Sequence, residues 1–293
     1  MLGGIEAGGT KFVCGVGTGP DDLKTATFRT TVPEETIPEV VAFFQKQGAI
    51  KALGIGSFGP VDLREESKSF GFITSTPKRG WGNYDLKGSI ERALKVPVQF
   101  DTDVNAAIRG EVRWGGAVGL TDAVYMTIGT GVGGGAIAHG RIVHGLVHPE
   151  MGHLRLPHDR ERDPFPGICP YHGDCLEGLA CGPALQARWG KPATELGEGH
   201  EAWALEAHYL GLALVNILLT LSPQRIILGG GVMQNQFLFP IIRAEVVRML
   251  AGYVRDPEIL ERVDEFIVPP RLGNDVGVLG ALALAEEALE KAA

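Results

Sequence analysis

The stretch Gly3-Gly-Ile-Glu-Ala-Gly-Gly-Thr-Lys11 indicates how the chain begins to fold. Apolar residues at 2–6 and 12–16 predict two β-strands on either side of the glycines. Glycines between two such strands predict the turn of a β-hairpin. A glycine turn at the end of a strand can also bring backbone N–H groups close to phosphate oxygens, although glycine serves any tight turn.

The same order of elements returns about 120 residues later. A strand is predicted at 124–128, a glycine turn at 129–135, and a second hairpin over 136–143 that turns near His139-Gly140. The separation is too long for a solenoid repeat. The recurrence therefore predicts two related lobes.

The remaining segments alternate between helix and strand. Helices are predicted at 34–47, 84–95, 104–114, 201–221, 236–252 and 276–292, and strands at 52–57, 97–101 and 225–228. Such alternation with added hairpins predicts an α/β fold with mixed sheets. We expect a smaller N-terminal lobe over 1–115, completed by the C-terminal helix 276–293, and a larger lobe over 116–275.

Composition limits the functional classes. The 293 residues are 44% hydrophobic and 21% charged, which suits a folded core, and the net charge of −8 argues against nucleic-acid or anionic-membrane partners. The apolar run 210–221 contains Asn216 and Thr220 and is too short to span a bilayer, so we predict a buried helix. Four cysteines and no signal-peptide pattern predict a cytoplasmic protein.

The segment Pro149–Glu177 has the residues for a metal site. Cys169, His172 and Cys175 follow one another at three-residue intervals, and His153 could supply a fourth ligand. Two thiolates and two imidazoles favour a structural zinc ion. The alternatives are a disulfide between the two cysteines, buried free thiols, or a different fourth ligand from Cys181, His148 and His158. Glu150 and Glu177 lie beside these ligands, so a metal could hold both carboxylates for a polar substrate.

Two polar residues stand at the start of the predicted helix 104–114. Asp103 could accept a proton from a sugar hydroxyl that attacks a γ-phosphate, or it could be the helix N-cap. Asn105 could bind a sugar hydroxyl or face solvent. The glycine clusters at 8–9, 129–135 and 229–231 fit neither a P-loop nor a dinucleotide turn, and a phosphate site shared between two lobes fits them better.

Several motifs together resemble the ROK family of sugar kinases. They run in order across nearly the whole chain and are Gly-Gly-Ile-Glu-Ala-Gly-Gly-Thr-Lys (3–11), Ser-Phe-Gly-Pro-Val-Asp (57–62), Thr-Pro-Lys (76–78), Thr-Asp-Val-Asn-Ala-Ala (102–107), Gly-Thr-Gly-Val-Gly-Gly-Gly (129–135), His-Pro-Glu-Met-Gly-His (148–153), Cys-Pro-Tyr-His-Gly-Asp-Cys-Leu-Glu-Gly-Leu-Ala (169–180) and Ile-Leu-Gly-Gly-Gly-Val (227–232). The chain most closely resembles the bacterial fructokinases of that family.

The resemblance implies an actin-like, hexokinase-type (ribonuclease H-like) fold of two lobes around a central cleft. It implies transfer of the γ-phosphoryl group of Mg-ATP to a hexose, a structural zinc ion and a homodimer. The implied sites are the catalytic base Asp103; the sugar-binding residues Gly59, Asn105, Glu150, His153 and Glu177; the ATP-binding residues Gly8, Gly9, Thr10, Lys11, Thr130, Gly131, Gly133, Gly229, Gly230 and Gly231; and the zinc ligands His153, Cys169, His172 and Cys175.

Three positions depart from the broad family pattern. Glu6 stands where Asp is common, which puts the Mg²⁺-water contact in question, and Thr102 stands where Asn usually precedes the catalytic Asp. His172 replaces a cysteine of the zinc loop, as in the fructokinase branch. The sequence therefore predicts phosphorylation of D-fructose to fructose 6-phosphate, with glucose, mannose or an N-acetylhexosamine as alternative substrates. A sugar-responsive regulator is the non-catalytic alternative.

Overall fold

The computed structural model describes residues 1–292. The strands in this range are β1 (Leu2–Ala7), β2 (Lys11–Gly17), β3 (Lys24–Arg29), β4 (Leu53–Ser57), β5 (Phe72–Ile73), β6 (Tyr84–Asp85), β7 (Val98–Thr102), β8 (Ala123–Ile128), β9 (Val132–Ala138), β10 (Arg141–Ile142), β11 (Arg225–Gly229) and β12 (Ile267–Val268). The helices are α1 (Pro33–Lys46), α2 (Leu86–Leu94), α3 (Asp103–Trp114), α4 (Leu176–Ala180), α5 (Gly182–Trp189), α6 (Ala202–Leu221), α7 (Leu238–Leu250), α8 (Pro257–Leu260), α9 (Val263–Phe266) and α10 (Val276–Ala292).

These elements form two compact units. Unit 1 comprises Met1–Gly119, Ile142–Pro149 and the chain from Arg271 onward, and unit 2 comprises Leu120–Arg141 and Glu150–Pro270. The segment Ile142–Pro149 thus belongs to unit 1. The sequence predicts this segment in the larger lobe, 116–275. The last residue of the predicted C-terminal helix, Ala293, lies outside the described residues.

Unit 1 contains a five-stranded sheet in the order β3-β2-β1-β4-β7. β1 and β2 form the predicted antiparallel hairpin, and β4 and β7 extend the sheet in parallel. The helix α10 contacts β1, β4 and α3, and it buries Val278, Leu279 and Leu282. β3 was not predicted, because its side chains are exposed or half-buried and its apolar alternation is limited to Ala26 and Phe28.

Unit 2 contains a second sheet in the order β10-β9-β8-β11-β12. β9 and β10 pair as the hairpin predicted over 136–143, β8 pairs with β9 across the second glycine turn, and β11 pairs with β8 in parallel. Because parallel strands end at the same edge of a sheet, the turns after β8 and after β11 are neighbours. One boundary was predicted incorrectly: the glycine turn ends at Gly131, and Gly133 to Gly135 are strand residues paired with β8.

The helix α6 is long and apolar enough to cross a membrane by length and composition alone. Half of its most apolar window is buried inside the structure, and the helix contacts α4 and α7 of unit 2. Leu210, Leu214 and Leu218 lie on its buried face. These contacts indicate a core helix, as the sequence predicted for the run 210–221.

Candidate active site and metal centre

The start of α3 fixes the backbone of Asp103. The helix N-cap is Thr102, whose hydroxyl oxygen accepts a hydrogen bond from the Asn105 N–H at 3.1 Å. Asp103 is the first helical residue, and its Oδ1 accepts from the Val104 N–H at 2.9 Å. The interpretation of Asp103 as the N-cap was therefore wrong. Because a threonine supplies the cap, the helix does not require a carboxylate at position 103 for that purpose.

Asp101 binds side chains of the first two turns of α3. It is 1% exposed, and its Oδ1 accepts from the Asn105 side-chain amide at 2.7 Å. Its Oδ2 accepts from His144 Nε2 at 2.9 Å and from Arg109 Nη2 at 3.2 Å. Asn105 is itself buried, so the alternative that it faces solvent was wrong. Sequence reasoning missed Asp101, because its partner His144 lies 43 positions away.

The first glycine turn is closed by its own backbone and by a buried threonine. The Gly8 N–H donates to the Lys11 carbonyl at 3.0 Å. Thr30 binds the turn twice, from its hydroxyl to the Gly8 carbonyl at 2.7 Å and from its N–H to the Thr10 carbonyl at 3.0 Å. Thr10 and Lys11 are exposed. The turn is thus held from the protein side, and Thr30 is a supporting residue that no motif indicated.

Glu6 packs against the first turn of α10. A side chain at Gly277 would overlap the Glu6 carboxyl group, so glycine at 277 makes room for the residue that departs from the family pattern. Burial raises the pKa of Glu6, although the positive charge of Lys11 opposes the shift. A glutamate at position 6 is therefore accommodated by a glycine on a different element.

Gly59 lies in the loop that follows β4. The loop is bound to the end of β1 through the Phe58 N–H, which donates to the Ala7 carbonyl at 2.8 Å. Thr74 binds it on the other side, donating from its N–H to the Pro60 carbonyl at 2.8 Å. The backbone of this predicted sugar-binding loop therefore lies beside the strand that enters the first glycine turn.

In unit 2, the four predicted metal ligands come together. One donor atom from each of His153, Cys169, His172 and Cys175 lies within 4.8 Å of all the others. His153 Nδ1 is 3.5 Å from Cys175 Sγ and 3.8 Å from Cys169 Sγ, which is 3.7 Å from His172 Nδ1. A tetrahedron with metal–ligand bonds of 2.0–2.3 Å has edges of about 3.3–3.8 Å, so these separations fit one tetrahedral ion.

Two of the alternatives for this loop, the disulfide and a different fourth ligand, disagree with its contacts. All four cysteines are free thiols, so Cys169 and Cys175 form no disulfide. Cys181 and His148 lie outside the cluster, and the ring nitrogens of His158 are bound by Asp174 and by the Asp163 carbonyl. Burial raises the pKa of the Cys175 thiol to about 11, so its thiolate requires a nearby cation.

Glu177 joins the metal loop to the second glycine turn. It is the second residue of α4, which begins directly after Cys175, and its Oε2 accepts from the Val132 N–H at 3.0 Å. A Cβ atom at Gly131 would lie 2.6 Å from the same oxygen, so a larger residue there would displace the carboxylate from the Val132 N–H. The glycine predicted to bind phosphate thus also leaves space for a carboxylate predicted to bind sugar.

The other predicted residues of unit 2 surround this contact. Glu150 is exposed, and its carbonyl accepts from the His153 N–H at 2.9 Å. The third glycine turn lies beside the second, since a Cβ atom at Gly129 would be 3.6 Å from the Gly231 nitrogen. Within unit 2 the second and third glycine turns therefore lie together. Glu177 binds the end of the second turn, and the metal loop connects Glu177 to the predicted ligand His153.

Comparison with known proteins identifies the family. The profile of the ROK family matches residues 2–288. The chain belongs to the ROK family. A putative fructokinase of Bacillus subtilis is 48% identical over 99% of this chain and 97% of its own length. Fructokinases of Lactococcus lactis and Pediococcus pentosaceus are 45% and 42% identical, over 89% and 100% of both chains.

Solved structures confirm the fold of this ROK protein. A ROK hexokinase from Thermus thermophilus superposes with a TM-score of 0.77 at 27% identity, covering 99% of both chains. A ROK glucokinase from Streptomyces griseus, solved with glucose and AMPPNP, gives 0.76 at 26% identity and covers 98% of this chain and 99% of its own. The predicted actin-like, hexokinase-type α/β fold is therefore confirmed.

The charge of Asp101 makes the stability of this ROK protein depend on pH. Burial alone would raise the pKa of Asp101, but the hydrogen bond and charge of His144, the charge of Arg109 and the Asn105 amide outweigh it and lower the pKa. A carboxyl whose folded pKa lies below its unfolded value stabilises the fold at neutral pH. That contribution is lost as the pH falls from about 4 through the lower folded pKa.

We expect Asp101→Asn to lower the free energy of unfolding by about 2–4 kcal/mol at pH 7, because Arg109 loses its buried counter-charge. The difference from wild type should shrink below about pH 4, where the Asp101 carboxylate of the unfolded chain is protonated first and that of the folded protein follows at lower pH. Urea unfolding at several pH values measures it, with Asp21→Asn as an exposed control. A difference that stays constant down to about pH 3 would contradict this origin.

Proposed function

We propose that the chain is an ATP-dependent hexose kinase that converts D-fructose to fructose 6-phosphate. The observation that carries the proposal is identity of 40–48% with relatives named fructokinase, over at least 89% of this chain. Relatives named glucokinase are more distant, at 28% identity for those of Halalkalibacterium halodurans and Streptomyces coelicolor. Fructose is therefore favoured over glucose as the acceptor.

Asp103 is the proposed general base. Its carboxylate would take the proton of the attacking sugar hydroxyl, whose oxygen then bonds to the γ-phosphorus of ATP. The bond between the γ-phosphorus and the bridging oxygen breaks, and ADP leaves with that oxygen. The position suits this role, because Thr102 caps the helix and Asp101 fixes the helix start. The Asp103 carboxylate then serves the substrate in addition to its contact with the Val104 N–H.

The glycine turns are proposed to hold Mg-ATP. The turn Gly8–Lys11 would bind phosphate oxygens through backbone N–H groups, with the exposed Lys11 adding a positive charge. Thr130, Gly131 and Gly133 would serve a second phosphate, and Gly229–Gly231 the adenosine. Mg²⁺ enters with ATP and offsets the charge that develops on the transferred phosphoryl group. Little covalent chemistry is then required of the protein beyond positioning the reactants.

The sugar is proposed to bind Gly59, Asn105, Glu150, His153 and Glu177. The geometry supports a double role for His153, because the thiols approach its Nδ1 and leave the other ring nitrogen for a sugar hydroxyl. The Asn105 amide oxygen has no hydrogen-bond partner within residues 1–292, so it can accept from a hydroxyl group. The Glu177 carboxylate would bind the sugar as well as the Val132 N–H.

We also propose that the metal is zinc and that its role is structural. Two thiols and two imidazoles fill all four positions of a tetrahedral ion, so no position is left for a substrate or a reactive water. The ion would hold His153 and, through Cys175, the helix that carries Glu177. The proposal includes a cytoplasmic homodimer, which the family resemblance implies and light scattering on purified protein would test.

Sugar specificity is the direct test of the proposed activity. We expect the purified protein to phosphorylate fructose with a higher kcat/KM than glucose, mannose or an N-acetylhexosamine, measured as ADP release in a coupled assay. The phosphorylated carbon is read from the product by NMR and should be C6. A higher kcat/KM for an aldose would contradict fructose as the substrate. No ADP release with any of the sugars would contradict the proposed kinase activity.

Asp103→Asn should lower kcat for fructose by about 10²–10⁴-fold, since a general base contributes that much. The melting temperature and the metal content should stay as in wild type, because Thr102 rather than Asp103 caps the helix. Asp21→Asn serves as an exposed control with the same change of side chain. Wild-type turnover in the Asp103 variant would rule out this residue as the base.

Elemental analysis should find about one zinc ion per chain, as four side-chain ligands require. Cys175→Ser should lose the metal and raise the KM for fructose, because α4 and Glu177 lose their anchor. Cys181→Ala is the matched control, a buried cysteine outside the ligand cluster. The structural role fails if the metal-free variant keeps the wild-type KM.

A further inference from the structure

We propose that His148 is a positioning residue that holds the Gly59 loop in shape for the sugar. The proposal rests on the proposed function, since it assigns Gly59 to the sugar site of a hexose kinase. His148 lies in the segment Ile142–Pro149, which belongs to unit 1 although the chain on both sides of it belongs to unit 2. His148 lies outside the cluster of metal ligands, so metal binding does not explain this histidine.

The decisive contact is between His148 and the backbone of Val61. The Val61 N–H donates to His148 Nε2 at 3.2 Å. Val61 is 1% exposed, so water cannot readily replace the imidazole as acceptor. An Nε2 atom that accepts a hydrogen bond carries no proton, which places the ring proton on Nδ1.

The imidazole also lies beside Gly59. A Cβ atom added at Gly59 would be 3.6 Å from His148 Cε1 and 3.8 Å from Nε2, so the ring borders the space next to this glycine. His148 therefore lies next to the predicted sugar-binding residue and accepts a hydrogen bond from the backbone two residues later. Because both positions are in the same short loop, we expect a displacement of Val61 to shift Gly59.

The rest of the loop is held by groups that do not replace His148. Phe58 is bound to Ala7, and the Pro60 carbonyl accepts from both the N–H and the hydroxyl of Thr74, at 2.8 and 3.0 Å. The bond of Phe58 fixes the loop before Val61, and the bonds of Thr74 fix the Pro60 carbonyl. Neither Ala7 nor Thr74 accepts a hydrogen bond from the Val61 N–H in the described part of the chain. That acceptor comes from a residue 87 positions away.

The segment Ile142–Pro149 is bound to unit 1 at a second point. His144, four residues before His148, donates to Asp101 at the start of α3. The two histidines thus connect one short segment to the loop that carries Gly59 and to the helix start that carries Asp103. Glu150, a predicted sugar ligand, is the second residue after His148 in the chain. Loss of the His148 contact should affect the sugar, while the ATP-binding turns keep their own bonds.

Three substitutions at His148 separate the hydrogen bond from the ring. Phe keeps a flat ring without an acceptor, Gln places an amide oxygen near the position of Nε2, and Asn reaches only to the position of Nδ1. We expect His148→Phe to raise the KM for fructose about tenfold, which corresponds to a hydrogen bond of ordinary strength. The KM for ATP and the metal content should stay as in wild type. Gln should restore most of the affinity and Asn should not.

Hydrogen exchange followed by mass spectrometry gives a readout that does not need activity. In His148→Phe, peptides that contain Val61 should exchange faster than in wild type and in His148→Gln, at equal melting temperature. Unchanged exchange and an unchanged fructose KM in the Phe variant would overturn the proposal. An equal loss of ATP affinity, or equal effects of Phe and Gln, would also overturn it by showing a general structural role.

The proposed function and the role of His148 are contradicted by different results. A wild-type protein that phosphorylates no hexose would reject the proposed function, and the sugar part of this inference with it, whatever the exchange data show. A wild-type protein that phosphorylates fructose, with a Phe variant of unchanged fructose KM, would reject only the role of His148.

Discussion

The hydrogen bond from the Val132 N–H to the Glu177 carboxylate is the contact on which unit 2 depends. It occupies an oxygen of Glu177, which lies in α4 two residues after the metal ligand Cys175, and it marks the end of the glycine turn at Gly131. Any side chain at position 131 would meet that carboxylate at 2.6 Å. The positions of three elements are therefore coupled: the metal loop, the helix α4 and the second glycine turn. A displacement of any of them would break the hydrogen bond between Val132 and Glu177.

This dependence explains why a metal suits the loop. Residues 154–175 are largely polar, so they cannot bury enough apolar surface to hold a fixed shape. Two buried aspartates partly compensate: Asp174 binds His158, and Asp163 binds Arg188 and Tyr209 at 3.1 and 2.6 Å. Those bonds attach the outer loop to α5 and α6. They do not position the thiol of Cys175, whose burial disfavours the thiolate form until a cation is present.

The sequence was sufficient for features that depend on local spacing. Both glycine hairpins, the main helices and the four donor atoms of the metal cluster follow from patterns within a few residues, or from one distant histidine. It was not sufficient where the deciding partner is remote or the signal is weak. The apolar alternation of β3 is limited to Ala26 and Phe28, and the start of β9 at Val132 was hidden because its glycines resembled a turn. Asp101 has a role only because the fold brings His144 to it.

Contacts in the fold also explain how two departures from the family pattern are accommodated. Read alone, Glu6 is a lengthened acid that should collide with its surroundings, yet the absence of a side chain at Gly277 on α10 provides the space. Thr102 replaces a residue of the catalytic motif, yet its hydroxyl caps α3, and the neighbouring Asp101 binds Asn105 one turn later. In both cases the backbone that carries the motif is kept in place by a contact elsewhere. A motif position that looks weakened in the sequence is therefore best judged together with the residue that faces it in the fold.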